Sequence, residues 1–173
     1  MTPSDIPTVN RKLKEAYHRV KAPIVDLLAI QTRDPFRVLL ATILSARTKD
    51  ACTAAACERL FKVVTTPDDL RRISQDELEK LIYPVGFYRN KAQHLKALPD
   101  VLEQKFGGVL PDTVEELCEL PGVGRKTANL VVAQGFGKPA ICVDVHVHRI
   151  TNRLGLVQTK TPLETEMALR QIL

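Results

Sequence analysis

Helix start signals recur along the whole chain, and they constrain the fold more than any other feature of the sequence. Asp34-Pro35 and Thr66-Pro67 each place a capping residue before a proline at the first helical position. The only β-like run, residues 139–145, has no second run to pair with. Three further segments match a capping box, in which side chains satisfy the free amides of a first helical turn; they are Ser74–Glu77, Thr113–Glu116 and Thr161–Glu164. The sequence therefore predicts an all-α fold of roughly nine or ten short helices.

Composition narrows the class of protein. Apolar residues make up 45% and charged residues 26% of the 173 residues, which are globular proportions that exclude a disordered or collagen-like chain. No apolar run approaches the ~18 residues that span a bilayer, and the polar start of the chain contains no signal-peptide core. Cys52, Cys57, Cys118 and Cys142 form no C-x-x-C pair, which favours reduced thiols. We therefore expect a cytoplasmic protein without a membrane partner.

Charge is distributed unevenly. Residues 1–50 carry a net charge of +4, residues 51–120 a net charge of −3 and residues 121–173 a net charge of +4. Two basic ends could fold into one basic face that binds a polyanion such as DNA. A solvated surface explains the same charges equally well, so charge alone does not decide between the two interpretations.

Apolar residues at helical spacing indicate one core-facing helix. Ala92, Leu95, Leu98 and Leu102 recur every three or four residues. Pro99 lies inside this pattern. Because proline has no amide hydrogen to donate and crowds the preceding turn, we expect a kink or a break there.

The segment Leu120–Ala128, with the sequence LPGVGRKTA, carries the most specific signal. A capped helix over about residues 113–119 leads into a turn with two glycines, and a second helix starts near Arg125. Gly122 and Gly124 allow a positive φ and leave no Cβ above the turn, so nearby amides can point at an anion such as a DNA phosphate. The ordinary alternative is a tight turn that serves packing only.

Four segments together resemble one family. LPGVGRKTA resembles the hairpin of the helix-hairpin-helix DNA glycosylases, and specifically that of the endonuclease III family. Three more segments of this chain resemble other motifs of that family. They are ILSARTKD at 43–50, VGFYRNKA at 85–92, and VDVHVHR at 143–149 followed by Asn152-Arg153. The motifs occur in the family's order and cover roughly residues 28–155.

The resemblance implies an all-α fold of two helical lobes with a DNA-binding cleft between them. Residues 28–138 would form a helical domain that contains the helix-hairpin-helix at 113–134. Residues 1–27 and 139–173 would form the second lobe, in which the first helix, about Thr8 to Val20, pairs with the helices after Asp144. The sequence reaches residue 173 part-way through an apolar-periodic helix, so we expect a truncated second lobe with weak catalysis. In this less stable lobe, Leu169, Ile172 and Leu173 would be partly exposed.

The resemblance also implies a function: a base-excision-repair DNA glycosylase with AP lyase activity that removes oxidised pyrimidines. Its partner would be double-stranded DNA with damaged pyrimidines or abasic sites, and it would act as a monomer. In such enzymes the hairpin lysine displaces the base and forms an imine at C1′, and β-elimination then nicks the strand. Lys126 matches that lysine, and Asp144 matches the family's catalytic aspartate. Adenine-excising relatives without lyase activity carry no lysine at this position.

Both catalytic candidates also have a physical rationale of their own. An amine is a nucleophile only when it is neutral, and a first helical turn, the adjacent Arg125 and partial desolvation all disfavour the ammonium form of Lys126. Asp144 can stabilise positive charge on the sugar or carry a proton. The ordinary alternatives are a phosphate-binding or solvated lysine and an N-cap of the helix that begins at Val145.

The remaining candidates would contact DNA. By the resemblance, Arg47 and Phe87 fill the gap that a flipped nucleotide leaves in the duplex. A surface arginine and a core phenylalanine are the ordinary alternatives. Arg47 stands where the family usually has Gln, which leaves the preference for the opposite base open. Predicted phosphate contacts come from the hairpin and from the helix after Asp144; they are Gly122, Val123, Gly124, Arg125, Thr127 and His146.

A [4Fe–4S] cluster is expected from the resemblance, because the family usually ends in a loop of four cysteines. The four cysteines of this chain lie upstream and lack the spacing of that loop. Cluster ligation requires thiolates that lie close together. We therefore assign no metal and no cofactor to the residues present.

Two other functions remain open from the sequence. A non-catalytic helix-hairpin-helix module would bind the DNA backbone without chemistry, and a mismatch thymine glycosylase of the same superfamily is compatible with Arg47. Enzyme and module both predict salt-sensitive DNA binding. Only an enzyme with lyase activity predicts a covalent adduct that borohydride traps.

Overall fold

The computed structural model describes residues 1–17 and 34–173, and within these ranges there is no strand. The predicted all-α class is therefore confirmed. No described helix is long and apolar enough to cross a bilayer. The helices in chain order are Ile6–Tyr17, Pro35–Ser45, Asp50–Leu60, Pro67–Arg72, Gln75–Ile82, Tyr88–Phe106, Val114–Leu117, Arg125–Leu130, Val145–Arg153 and Pro162–Leu169, with a 3-10 turn at Pro3–Asp5 and a π-helical turn at Val131–Gly135.

The predicted helix starts are confirmed by their capping contacts. The Asp34 carboxylate accepts the amide of Phe36 at 2.9 Å, directly across the proline that opens the helix. Such contacts satisfy amides that have no partner inside the helix. The other predicted caps are also N-caps: Thr66 and Ser74 head complete capping boxes, and Thr113 and Thr161 accept the amides of Glu116 and Glu164.

The chain divides into two compact units. The smaller unit consists of Met1–Ala22 and Ile141–Leu173, and the larger unit is Pro23–Ala140. The domain limits predicted from the sequence, with boundaries after residues 27 and 138, stay a prediction. The first of these boundaries and the predicted end of the first helix near Val20 lie outside the described residues.

The larger unit is built around the apolar helix Pro35–Ser45. Val38, Leu39, Leu40 and Leu44 are fully buried, because this helix is apolar on nearly all sides. The helix Tyr88–Phe106 packs against it and against the helices Pro67–Arg72 and Gln75–Ile82. As the periodicity predicts, the core face of the long helix consists of Ala92, Leu95, Leu98 and Leu102.

Pro99 does not break this long helix. The helix Tyr88–Phe106 runs through it without interruption, so of the predicted kink or break the break is wrong, and the kink stays a prediction. Pro99 is itself buried, between Leu95 and Leu102 on the face that packs into the core. Packing on that face stabilises the helix enough to tolerate the missing amide donor.

The smaller unit has a much smaller core. Its buried apolar residues are Val143, Val157 and Leu169, with Ile172 packed against them. Leu169 is only 2% exposed, so the prediction that it is partly exposed is wrong, whereas Leu173 is 69% exposed. The amino terminus belongs to this unit, since the ammonium group of Met1 donates to the Leu154 carbonyl at 2.9 Å.

Amides of the smaller unit are expected to exchange with solvent faster than those of the larger unit. Burying one Leu or Ile side chain contributes ~1.5–3 kcal/mol, so a unit with fewer buried apolar residues opens at lower cost. Native-state hydrogen exchange measures this directly by comparing residues 145–153 and 162–169 with residues 35–45 and 88–106. Equal protection of the two sets would contradict the expectation.

Candidate functional site

The hairpin begins with a shorter helix than the sequence predicts. The first helix is Val114–Leu117, followed by turns through Leu120, rather than a helix over residues 113–119. The next turn is anchored by Val123, whose side chain is buried in the core of the larger unit. Gly122 has a φ of +75°, and a Cβ on it would lie 2.7 Å from Nδ1 of His94. Glycine is therefore required at 122 by both the backbone and the close contact.

Gly124 serves the hairpin differently from Gly122. Its φ is −96° and its ψ 171°, which is extended backbone, so Gly124 does not use the positive φ that glycine allows. A Cβ on Gly124 would meet none of the described atoms within 4 Å. Gly124 is the N-cap of the helix Arg125–Leu130, whose first amides have no partner inside the helix. The missing side chain leaves that end of the helix open to an approaching group.

The side chains that follow the turn differ in their exposure and in their contacts. Lys126 lies in the first turn of the helix and is exposed, so the partial desolvation predicted for it is not provided by the described residues. Arg125 is half-buried and pairs with Glu115 of the preceding helix at 3.3 Å. Thr127 is half-buried. Lys126 is thus exposed at the hairpin, while an ion pair connects Arg125 to the helix Val114–Leu117.

Arg47 and Phe87 lie together although 40 residues separate them in sequence. The guanidinium carbon of Arg47 lies 5.7 Å from the centroid of the Phe87 ring, a cation–π contact. Both residues have left-handed backbones, with φ values of 52° and 58°, and both are exposed, Phe87 by 62%. A non-glycine residue in this region costs roughly 1–2 kcal/mol, and such strain concentrates at functional sites. The structure therefore excludes a core role for Phe87.

Close backbone contacts join the two loops that carry this pair. The amide of Gly86 donates to Oγ1 of Thr48 at 3.1 Å. A Cβ on Gly86 would lie 2.6 Å from the Arg47 carbonyl oxygen, so only glycine allows the loops to approach this closely. Arg47 and Phe87 are the residues next to these contacts. The two sequence motifs thus form one structural feature.

Lys91 supports the same feature, and sequence reasoning missed it. Its Nζ donates to the carbonyls of Leu44 at 2.8 Å and Ala46 at 2.7 Å and to Oγ1 of Thr48 at 3.3 Å. The side chain is 7% exposed, and this burial lowers the pKa of Lys91 to about 8. Two signals were available: its place in the motif VGFYRNKA, and its position next to Ala92 at the start of the apolar face of the long helix.

Asp144 begins the helix Val145–Arg153 in the smaller unit. Its Oδ1 accepts the amides of His146 and Val147, both at 2.9 Å, so it is an N-cap as the ordinary alternative held. These bonds fix the orientation of the carboxylate. His146 is exposed, and its Nδ1 lies 3.4 Å from a guanidinium nitrogen of Arg149. Lys126 belongs to the larger unit, so the two catalytic candidates come from different units.

The cysteines do not fit an iron–sulfur cluster. Cys52 and Cys57 lie on the helix Asp50–Leu60, Cys118 caps the end of Val114–Leu117, and Cys142 precedes Asp144. Burial raises the pKa of the Cys57 thiol to about 12, which disfavours the thiolate that ligation needs. In the described ranges, no three Cys, His, Asp or Glu side chains are grouped closely enough to hold a metal.

Comparison with known proteins places these features in context. A family model described as HhH-GPD superfamily base excision DNA repair protein matches residues 40–173. Endonuclease III of Thermotoga maritima is 53% identical over 140 residues, which are 81% of this chain and 66% of that protein. Endonuclease III-like protein 1 of Gallus gallus is 47% identical over 137 residues, 78% of this chain and 49% of that protein. The chain thus spans about half to two thirds of the length of these relatives.

A solved structure also matches over the whole chain. It is that of a trapped endonuclease III–DNA covalent intermediate, in a complex with an estranged adenine. The TM-score is 0.84 at 37% identity, and the match covers 100% of this chain and 79% of the other. The fold of this chain is therefore similar to that of endonuclease III.

Proposed function

This chain belongs to the HhH-GPD superfamily of base excision DNA repair proteins, as its resemblance to endonuclease III predicts, and from that membership we propose its reaction. The proposed activity is a DNA glycosylase with AP lyase activity. It removes oxidised pyrimidines from duplex DNA through a lysine imine and nicks the strand by β-elimination.

One observation carries the proposal. Lys126 is exposed in the first turn of a helix whose N-cap, Gly124, has no side chain to obstruct an approaching phosphate. An amine at this point lies beside amides that suit an anion, so a DNA strand bound there brings a sugar close to Lys126. The bound strand also supplies the desolvation that the protein alone does not provide.

The hairpin would hold the backbone of the damaged strand. Amides around Gly124 and the first turn of the next helix would donate to a phosphate, with Thr127 and Arg125 close by. Arg125 shares its charge with Glu115, so the amides contribute more to the contact than this guanidinium does. His146 would donate to a phosphate from the smaller unit. Contacts of this kind position the duplex and carry no sequence information.

Arg47 and Phe87 would enter the duplex together. Flipping a nucleotide costs a few kcal/mol of lost stacking, and an aromatic ring with a guanidinium on its face restores part of that stacking. The contact between Arg47 and Phe87 supports their insertion as a pair. The guanidinium offers hydrogen-bond donors to the base that has lost its partner.

The chemistry would proceed in two steps. In the first, the neutral amine of Lys126 attacks C1′, the N-glycosidic bond breaks, and the departing base takes the electron pair and is protonated. Asp144 stabilises the positive charge that develops on the sugar, or carries a proton. Ring opening then gives an imine between Lys126 and C1′. In the second step a proton leaves C2′, its electron pair forms a C2′–C3′ double bond, and the C3′–O bond breaks so that the 3′ phosphate leaves, which nicks the strand.

Borohydride trapping tests the proposal. We expect the protein to form a covalent adduct with a duplex that contains an abasic site and with a duplex that contains an oxidised pyrimidine. A duplex with a T·G mismatch distinguishes a thymine glycosylase from an oxidised-pyrimidine glycosylase. Salt-sensitive binding without any adduct would contradict the proposal and leave the non-catalytic module or a thymine glycosylase without lyase activity.

The hairpin glycines give a prediction that separates binding from folding. Gly124→Ala is expected to leave the free energy of unfolding almost unchanged, because its φ suits any residue and its Cβ meets no described atom. It should nevertheless weaken binding to every duplex alike, because the methyl group occupies the path of the phosphate. Fluorescence anisotropy with undamaged, abasic and oxidised duplexes measures how far binding weakens and whether it weakens equally on all three.

Gly122→Ala is the matched control. It is expected to destabilise the protein, because a left-handed alanine is strained and its Cβ would lie 2.7 Å from His94. Thermal unfolding of both variants checks this difference. A loss of binding by Gly124→Ala on one lesion only would show that Gly124 contacts something other than phosphate.

A further inference from the structure

Lys91 occupies a position where an apolar residue would be expected. It lies on the helix Tyr88–Phe106 next to the core residues Ala92 and Leu95, and it is buried. Burying an ammonium group costs far more than burying an alkyl side chain, unless hydrogen bonds compensate. Three acceptors do so here, and all three belong to the segment Leu44–Thr48. The charge is therefore used to hold this segment.

The side chain and the backbone of Lys91 both make hydrogen bonds next to or with the exposed pair, Arg47 and Phe87. Its Nζ bonds to Ala46 and Thr48, which flank Arg47 on either side. Its backbone amide donates to the carbonyl of Phe87 at 3.1 Å. One residue thus contacts the immediate surroundings of both left-handed residues.

Thr48 completes the connection between the two loops. Its hydroxyl accepts from Nζ of Lys91 and from the amide of Gly86, and it donates to the carbonyl of Ala46 at 3.2 Å. A hydroxyl has one hydrogen and two lone pairs, so its capacity is fully used. Residues with strained backbones persist only where the surroundings determine them, and this network provides that determination.

We propose that Lys91 is a positioning residue that holds Arg47 and Phe87 as a preformed stacked pair, ready to fill the gap beside a flipped nucleotide. The proposal rests on the proposed function for the reaction itself. In this proposal Lys91 contacts neither the DNA nor the atoms that react. Its contribution is to keep the pair ordered before DNA binds, because a misplacement of about 1 Å can cost about a hundredfold in rate.

The same helix offers a matched control. Nζ of Lys96 donates to the carbonyls of Leu70, Arg71 and Ile73 and thereby closes the end of the helix Pro67–Arg72. Lys91 and Lys96 thus make the same kind of contact from one helix. Only the first of them holds residues of the candidate site. Lys96→Met therefore removes a comparable set of hydrogen bonds without disturbing Arg47 or Phe87.

Two substrates distinguish positioning from general damage to the enzyme. An abasic site in a duplex requires the gap to be filled, whereas an abasic site in a single strand has no opposite base and requires no filling. Single-turnover rates of borohydride-trapped adduct are measured on both. Lys91→Met is expected to slow the reaction on the duplex by roughly tenfold to a hundredfold and to change it little on the single strand. Lys96→Met should keep the wild-type ratio of the two rates.

Fluorescence gives a second readout that does not depend on catalysis. The probe is a duplex with a tetrahydrofuran abasic analogue opposite 2-aminopurine, whose emission reports on stacking beside the gap. Wild-type protein and Lys96→Met are expected to change this emission on binding. Lys91→Met is expected to bind with similar affinity, because phosphate contacts dominate binding, but to lose most of the change.

Substitutions of Thr48 keep the test decisive if Lys91→Met does not fold. Thr48→Val removes the shared hydroxyl and is expected to reproduce the loss on the duplex, while Thr48→Ser retains it and should behave as wild type. Equal slowing of both substrates, or an unchanged ratio in Lys91→Met and Thr48→Val, would overturn the proposal. If wild type forms no adduct on either substrate, the proposed function fails, and the fluorescence comparison still decides the role of Lys91.

Discussion

Lys126→Ala is expected to form no borohydride-trapped adduct with abasic or oxidised duplexes. The proposed imine needs a primary amine in the first turn after the hairpin, and Lys126 supplies it there. Duplex binding should be largely retained, because in the proposed function backbone amides rather than the amine would hold the phosphate. Denaturing gels of borohydride reactions measure the adduct, and anisotropy measures binding on the same preparation.

A second exposed lysine of the larger unit provides the control. Lys62 lies on the protein surface, where it pairs with Glu58 at 3.2 Å within its own stretch of chain. Lys62→Ala changes the net charge by the same amount as Lys126→Ala and should form the adduct at the wild-type rate. An undiminished adduct in Lys126→Ala would exclude Lys126 as the nucleophile and would redirect the search to another amine.

Asp144→Asn is expected to slow base excision by a factor on the order of 10² or more, the scale of one charge-stabilising or acid–base group. Its effect on stability should be small. Oδ1 of asparagine can accept the amides of His146 and Val147 as the aspartate does, and asparagine is an equally good N-cap. The substitution thus removes the negative charge and keeps the helix start. Single-turnover excision and thermal unfolding measure the two properties separately.

Asp144→Ala separates capping from charge. It is expected to lose both the excision activity and about 0.5–2 kcal/mol of stability, since its methyl group accepts no amide. If Asp144→Asn excises the base as fast as wild type while Asp144→Ala is destabilised, the carboxylate is a cap without a role in the reaction.

Local chemistry made much of the fold predictable. A cap at Asp34 or Thr66 depends on residues within one helical turn, and both helices begin where the sequence predicts. The core face of the long helix follows from its periodicity in the same way. The hairpin glycines were predicted as a pair, but Gly124 is extended, because backbone angles at a turn depend on how the flanking helices pack.

Contacts between distant segments were not predictable from spacing. The resemblance assigned Arg47 and Phe87 to the same gap in the duplex, but no rule of sequence spacing places two loops 40 residues apart in contact. The role of Lys91 depends on carbonyls more than forty residues away, so its place in the motif VGFYRNKA and on an apolar helix face gave no indication of its partners. At Pro99 a local rule fails, because tertiary packing outweighs the tendency of proline to end a helix.

The helix Tyr88–Phe106 also sets a distance. Phe87 immediately precedes it, and His94, seven residues further on, packs against Gly122 of the hairpin turn. Seven residues of α-helix rise about 10 Å, which equals about three base-pair steps of B-form DNA. In the proposed function, this helix would therefore fix how many base-pair steps separate the filled gap from a phosphate at the hairpin. Inserting or deleting one residue between Phe87 and His94 would rotate one end of the helix against the other by about 100° and shift it by about 1.5 Å, so the helix could no longer serve Phe87 and the hairpin turn together.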